Sequence, residues 1–308
     1  MGKYLISILL IIMILAVCFW LASLPVSEGD AEQVQFSVQK GDGSKDIALN
    51  LEKENLIKWA PVFRIYILAK GITGQLKAGE YLLSPSMTIP EIADKLVRGD
   101  VIKISVTIPE GFTVRQIEEK VGFELPGDSL EGFLFPDTYQ FSFGFSGEEL
   151  VGAMKDNFDK KLTEDLREEI ARQEKTIFEI VTMASLIEKE VISPEDKKLV
   201  SGILWKRLEA GMLLQVDATL AYLSGQGSWT FDEMRRDLAS LKEVDSAYNT
   251  YKYLGLPPGP ICNPGLDSII AAIYPVESDY WYYLSTPQGE TVFSKTLQEH
   301  NLARAEYF

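Results

Sequence analysis

Thr182-Met-Ala-Ser-Leu-Ile-Glu-Lys-Glu190 is the stretch from which the rest of the chain can be read, because it sets a carboxylate where a helix should be apolar. Counted as a helix from Thr176, the residues Ile177, Ile180, Val181, Ala184, Ile187 and Val191 recur at 3.6-residue spacing and share one face. At about 100° per residue, Glu188 projects between Ile177 and Val181, inside that stripe. Lys189 points to the opposite side, and Glu190 sits at the stripe's far edge, where easier solvation is expected. A carboxylate in apolar surroundings has its ionised form disfavoured and can hold a proton near neutral pH, as a general acid must. The plain alternative is a stripe-edge glutamate satisfied by a structural partner.

Around this stretch lie 308 residues, room for a membrane anchor plus one or two domains. Tyr4 to Leu24 carries no charged side chain and, at 1.5 Å per residue, covers roughly 30 Å, the thickness of a bilayer's hydrocarbon core. Lys3 alone precedes it as a positive-inside signal. A cleaved signal peptide and a lipoprotein at Cys18 compete with a retained anchor. The apolar run is too long for a signal core, ends in Leu24-Pro25 without a small-x-small site, and continues through Phe19-Trp20 past Cys18. A single-pass anchor in the cell membrane is therefore expected, with everything after about Val26 outside the cytoplasm. All acidic residues and every basic residue except Lys3 lie in that outer part, so it is more acidic still than the chain's net −15. Nucleic acid and anionic headgroups would be repelled. Cys262 is the one cysteine beyond the anchor and His300 the one histidine of the chain, which excludes an internal disulfide there and a histidine-rich zinc site. No metal or cofactor is expected, and any chemistry must rest mainly on carboxylates, hydroxyls and amides.

The pattern of the outer part is α+β. After a small polar linker at 25–33, Val34 to Val38 alternates as a strand, and Ser44 can cap a helix through Leu56. A second helix over Trp59 to Lys70 and a strand over Gly79 to Leu83 follow. Thr88-Ile-Pro-Glu91 is a capping box for a helix that Gly99 ends, and Val101 to Ile108 reads as a closing strand. Further capping boxes stand at Thr113-Val-Arg-Gln116, Thr176-Ile-Phe-Glu179 and Thr230-Phe-Asp-Glu233, and Ser193-Pro194 starts another helix. The Lys-, Asp- and Glu-rich residues 148–173 read as exposed helix. From Tyr248 to Gly265 the chain is dense in Pro and Gly with tyrosines between them, a long irregular stretch of the kind that often builds a binding site. Trp281 to Ser285 and Glu290 to Ser294 read as a terminal hairpin.

Six ordered segments carry a resemblance. Glu131-Gly-Phe-Leu-Phe-Pro-Asp-Thr-Tyr139, Ala184-Ser-Leu-Ile-Glu-Lys-Glu190, and Arg207 to Gln215 with Asp217 and Thr219 are the first three. Ala247-Tyr-Asn-Thr-Tyr251, Gly255-Leu-Pro-Pro-Gly259 with Ile261, Asn263, Pro264 and Gly265, and the end Phe293-Ser-Lys-Thr296 with Glu299-His-Asn301 complete them. Together they resemble the MltG-type (YceG-like) endolytic murein transglycosylases over nearly the whole chain. Ala218 departs from the pattern, since relatives usually carry Pro there. The resemblance implies an N-terminal transmembrane helix over 4–24 after a cytoplasmic stub at 1–3, a small LysM-like α/β subdomain at 34–108, and a larger mixed α+β catalytic domain at 109–308.

It also implies the chemistry: the glutamate matching Glu188 protonates the oxygen between N-acetylmuramic acid and N-acetylglucosamine. The muramic acid's own 6-hydroxyl then attacks C1 and leaves a 1,6-anhydro end. An internal nucleophile removes the need for a nucleophilic or water-holding second carboxylate, and one glutamate can act as acid and then base. Glu131, Gln215, Asp217, Tyr248, Asn249 and Thr250 are candidate sugar ligands, each against a structural alternative. Asp137 and Thr138 read as loop-fixing, Phe133, Phe135 and Tyr139 as core, Cys262 as a buried small residue, and His300 as a hydrogen-bonded structural residue. The implied partners are peptidoglycan strands and peptidoglycan synthases of the penicillin-binding class. Two other readings stand beside this one: a catalytically inactive, wall-binding scaffold, and a two-carboxylate glycoside hydrolase that adds water and leaves a reducing end.

Overall fold

The computed structural model describes residues 31–225 and 240–307, with scattered positions between 13 and 29. The apolar run Tyr4 to Leu24, but for a few positions, and the capping box at Thr230 lie outside the described residues. Among the described residues no helix is long and apolar enough to cross a membrane. The fold is α+β, with eleven helices and three two-stranded sheets among the described residues. The chain divides into two compact units, Met1–Val106 with Gln140–Phe145 and Thr107–Tyr139 with Ser146–Phe308.

In the first unit, β1 (Val34–Val38) turns Phe36 and Val38 inward and leaves Gln35 and Ser37 outside. It pairs antiparallel with β2 (Gly79–Leu83), Val34 opposite Leu83 and Val38 opposite Gly79, so Tyr81 and Leu83 are buried with Phe36. Helices α1 (Ser44–Lys53), α2 (Ala60–Ala69) and α3 (Ile89–Arg98) complete this core with Leu51, Phe63, Ile67, Ile92 and Leu96. The Thr88–Glu91 capping box forms, and Gly99 ends α3 in the left-handed region at φ 71°. Ser44 does not cap α1: Gly43 takes the extended N-cap position and Ser44 is the first helical residue. A second correction concerns the closing strand. β1 and β2 remain a two-stranded sheet, while β3 (Lys103–Thr107) pairs with β4 (Thr138–Ser142), a strand not foreseen. None of the residues of β3 is buried, so its alternation had no core face to match.

The second unit is built around one helix. α7 (Ile177–Glu190) starts at the Thr176–Glu179 capping box and is wrapped on every side: all residues from Ile180 to Ile187 are buried, Thr182 and Ser185 included. The periodic stripe is thus only part of its buried surface, as befits a core helix rather than an amphipathic surface one. α8 (Pro194–Glu209) and α10 (Leu266–Ile273) supply Val200, Leu204, Ile269, Ala272 and Ile273 to the same core. Around them lie α4 (Val114–Val121), α5 (Gly147–Lys161), α6 (Glu164–Arg172) and α9 (Asp217–Leu223); the stretch expected as exposed helix is α5 and α6, and α5 is not exposed throughout but buries Leu150, Met154 and Phe158. The foreseen hairpin forms from β5 (Tyr282–Ser285) and β6 (Thr291–Ser294), with Tyr282 opposite Ser294, and α11 (Leu297–Tyr307) follows it.

Gly132 explains part of the Glu131–Tyr139 motif. It sits at φ 88°, and a Cβ there would lie 2.4 Å from Pro260 Cγ and 2.8 Å from Val181 Cγ1. The loop can therefore lie against α7 only through a residue without a side chain. Gly132→Ala is expected to destabilise the protein by about 2–4 kcal/mol, the sum of overpacking and left-handed strain; chemical denaturation of the two proteins measures it, and equal midpoints would contradict the packing described.

Candidate active site

Where α7 leaves the core, its last turn carries Glu188. The side chain is 9% exposed and its Oε2 accepts three hydrogen bonds. They come from Ser268 Oγ (2.5 Å), the backbone N–H of Gly265 (3.1 Å) and Lys197 Nζ (3.3 Å). Oε1 accepts none among the described residues. Gly265 is the N-cap residue of α10 and Ser268 lies in its first turn, so the carboxylate satisfies the free N–H of the cap residue and sits at the positive end of the helix dipole. Lys197 is the stronger surprise, an ammonium 5% exposed and ion-paired to Glu188 from the first turns of α8. The surroundings of Glu188 are therefore apolar along the helix but densely polar at the carboxylate itself, which periodicity could not show.

The irregular stretch that follows Tyr248 is tied to α7 one turn before Glu188. Ser185 Oγ accepts from Ile261 N–H (3.0 Å) and donates to Thr182 O (2.7 Å), and Cys262, fully buried, donates its thiol to Ser185 O. Asn263 then joins three segments. Its N–H and Nδ2 donate to Phe112 O, its carbonyl accepts from Gly111 N–H, its Oδ1 accepts from Leu134 N–H, and Nδ2 also reaches Glu131 Oε1 at 3.2 Å. Glu131 accepts in addition from Val114 N–H, the first residue of α4. Burial pushes the Glu131 carboxyl up to about 7 against these hydrogen bonds and the nearby Lys189. Its position is that of a loop fastener next to the Glu188 site.

On the other side of the α7 terminus is a second carboxylate pair. Tyr251 donates its hydroxyl to Asp217 Oδ1, and Tyr283 and the Ala218 N–H hydrogen-bond Glu190. Burial and the Asp217 charge push Glu190 up to about 7, with Arg207 opposing. This corrects the expectation of an easily solvated Glu190: the helix end that opens to Glu188 on one side is covered by Tyr283 and Tyr251 on the other. Arg207 itself is buried, donating to Leu214 O (2.7 Å) and Trp281 O (2.9 Å), which accounts for its motif as a brace between α8, the following turn and β5.

The remaining candidates separate by exposure. Asn249 is fully buried, its Nδ2 donating to the carbonyls of Leu241, Lys242 and Val244 and its Oδ1 accepting from Tyr251 N–H. Thr250 is 2% exposed, its Oγ1 engaged with Val216 N–H and Thr219 Oγ1. Both have spent their polar atoms inside the protein, so the structure corrects their assignment as sugar ligands to that of loop builders. Tyr248 is half-buried, with its ring 5.2 Å from that of Tyr222 and its hydroxyl beside Gly259. Gln215 is exposed, in the left-handed region at φ 53°. Phe135 and Tyr139 are core residues, half-buried Phe133 packs edge-on to Phe158, and Asp137 accepts from Thr138 N–H (2.7 Å) and Asn157. His300 stacks on Tyr282 at 5.3 Å, and its buried Nδ1 finds no hydrogen bond among the described residues, so it is held by ring contact and not by the expected hydrogen bond.

Lys197 and Ser268 were not foreseen. For Lys197 a signal existed: with Val200, Ser201 and Leu204 it follows the helical period along the buried face of α8. Nothing in the sequence set Ser268 apart from other serines near a helix start.

The profile of the YceG-like family matches residues 36–306. An endolytic murein transglycosylase of Bacillus subtilis (strain 168) is 32% identical over 92% of this chain and 87% of its own length. One from Streptococcus pneumoniae (serotype 2, strain D39) is 29% identical over 92% of this chain and 60% of its own. A crystal structure of a yceG-like protein from Listeria monocytogenes covers 89% of this chain and 100% of that one, at 33% identity and a TM-score of 0.56.

Glu131 and Glu190 give the protein a pH signature. Both are pushed from the ordinary 4.5 to about 7, so the native state holds protons that the unfolded chain has lost. The stability this confers is complete below about pH 4.5 and is lost as pH rises through about 7. The melting temperature should fall between about pH 5 and pH 8, and Glu131→Gln and Glu190→Gln should each flatten that slope. Unaltered slopes in thermal scans would contradict the burial assigned to them.

Proposed function

Because the chain belongs to the YceG-like family, we propose that it is an endolytic lytic transglycosylase of peptidoglycan, cleaving the bond between N-acetylmuramic acid and N-acetylglucosamine within a glycan strand. The observation that carries the reading is the Glu188 carboxylate, which lies in the segment matching the family's catalytic helix. One of its oxygens is fixed by Lys197, Gly265 and Ser268, and the other has no protein partner among the described residues. Fixing one oxygen orients the second, and orientation is a large part of what a catalytic group contributes.

The reaction needs one net proton movement. As the bond from C1 to the glycosidic oxygen breaks, that oxygen takes a proton. As the 6-hydroxyl oxygen bonds to C1, it gives one up, and a 1,6-anhydro end results with no water consumed. Glu188 is assigned to this traffic. Buried donors around its Oε2 hold the carboxylate in place during the reaction, and nearby negative charge stabilises the positive charge developing at C1.

The rest of the reading follows from the family and the sequence. Tyr4 to Leu24 anchors the chain as a single span in the cell membrane, and the two units lie on the extracytoplasmic side. The unit around β1 and β2 is a LysM-like peptidoglycan contact, and 109–308 is the catalytic domain. Tethered there, the enzyme meets strands as they emerge, limits their length, and works beside synthases of the penicillin-binding class. Tyr248 and Gln215, exposed or half-buried near the irregular stretch, are retained as sugar contacts, with Asp217 behind them and Glu131 as their support.

Incubating the full-length protein in detergent with uncrosslinked glycan strands, and identifying the new ends by mass spectrometry, tests this. Wild type is expected to yield anhydro ends, and Glu188→Gln to lower their rate by roughly 10²-fold or more. Reducing ends would mean hydrolysis. Strand binding without cleavage would favour the wall-binding alternative.

A further inference from the structure

Building on the transglycosylase reading, we propose that Glu110 is the second carboxylate of this site. In this assignment Glu110 holds the proton delivered to the leaving oxygen, and Glu188 is the base that takes the proton from the 6-hydroxyl. Glu110 stands in the turn Pro109-Glu110-Gly111, and that turn is placed on Glu188 by specific contacts. Gly111 N–H donates to Asn263 O at 2.9 Å, and a Cβ on Gly111 would lie 3.5 Å from Glu188 Cγ. Gly265 lies between the two carboxylates. Its N–H donates to Glu188 Oε2, while a Cβ on its other side would lie 2.0 Å from Glu110 Oε1. Gly265 has φ −73°, which any residue adopts, so what a side chain there would meet is the Glu110 carboxylate lying against its Cα, the movable end of an exposed side chain.

The two carboxylates differ in their partners. Glu188 Oε2 accepts from an ammonium, a hydroxyl and an amide, all of which favour a charged acceptor. Glu110 accepts no hydrogen bond and makes no ion pair among the described residues, and it is open to solvent and hence to a strand. The groups facing it are Glu188 from α7, Lys197 from α8 and Asp267 from α10, with the Lys189 ammonium beside Gly111. Partial burial, and then the charges of Glu188 and Asp267, raise the Glu110 carboxyl above the ordinary carboxylate value, with Lys197 opposing. Unlike surroundings of this kind are what separates the acid from the base where two carboxyl groups share a site.

The step balances. Glu110 gives its proton to the glycosidic oxygen as the bond to C1 breaks; the 6-hydroxyl oxygen bonds to C1 and its proton passes to Glu188. One proton then sits on Glu188 and none on Glu110, and transfer between the neighbours restores the resting state. Neither carboxylate is a nucleophile and no water is needed, which separates this pair from that of a hydrolase.

Two measurements on the full-length protein decide it. Rates of anhydro-end formation across pH are expected to fall about 100-fold for Glu110→Gln, with loss of the alkaline limb that wild type shows. Gly265→Ala, which pushes Glu110 aside while leaving it titratable, should fall likewise with an unchanged melting temperature. Carbon-detected NMR of glutamate carboxyls gives the second measurement, independent of activity. Glu110 should titrate above the ordinary range in wild type and move down in Glu188→Gln, which removes the repelling charge. Glu110→Gln within twofold of wild type with an unchanged pH profile, or a Glu110 titration indifferent to Glu188→Gln, would overturn the assignment. If wild type makes no anhydro ends, the transglycosylase reading fails by itself, and the titration still decides which carboxyl holds the proton.

Discussion

A carboxylate held at the start of one helix by an ammonium from another is the interaction on which this structure turns. Glu188 Oε2 collects Lys197, Ser268 and the Gly265 N–H at the point where α7, α8 and α10 meet. A buried ion pair is costly to desolvate and becomes tolerable only when its remaining valences are satisfied. Here they are, because the N-terminus of α10 supplies donors and a favourable dipole while Lys197 supplies the countercharge. That arrangement requires α7 to be wrapped by both neighbours, and its all-round burial from Ile180 to Ile187 follows from the same packing. The loop before α10 is held in place by hydrogen bonds, from Ile261 N–H to Ser185 of α7 and through Asn263 to the segments at Phe112 and Leu134.

The same helix end separates two kinds of carboxylate chemistry. Toward Lys197 lie Glu188 and Glu110, one fully partnered at one oxygen and the other without a protein partner among the described residues. Toward Arg207 lie Glu190 and Asp217, covered by Tyr283 and Tyr251. Three side chains along the helix, Ser185, Glu188 and Glu190, thus differ in their surroundings: one fastens a loop, one turns a carboxylate toward Lys197 and the start of α10, and one lies under Tyr251 and Tyr283.

Much of this was legible from periodicity and capping. The boxes at Thr88, Thr113 and Thr176 form as their spacing requires, and the bounds of β2 match the alternation read from Gly79 to Leu83. Glu188 stood out in the sequence by its place among apolar residues, but its surroundings are different ones: the stripe is the flank of a core helix, and the carboxylate meets donors from distant segments. Long-range partners of that kind leave no local trace, so Ser268 and Glu110 went unseen. Lys197 did leave one, as a charged residue on the buried face of α8. Asn249 and Thr250 show the opposite failure. Polar residues in an irregular stretch look like ligands in sequence, yet such a stretch must also satisfy its own buried backbone, and these two side chains serve that need. The strand pairing of β3 with β4 was out of reach because alternation does not name a strand's partner, and β3 buries no residue that would fix one.

The most direct test is a crystal structure of the Glu188→Gln protein with an uncrosslinked glycan strand bound. The account predicts a scissile glycosidic oxygen and the muramic acid 6-hydroxyl both within about 3 Å of the side chains at 188 and 110, the 6-hydroxyl on the side of position 188. A strand bound with its glycosidic oxygens beyond reach of position 188, lying instead against Glu190 and Asp217, would contradict it.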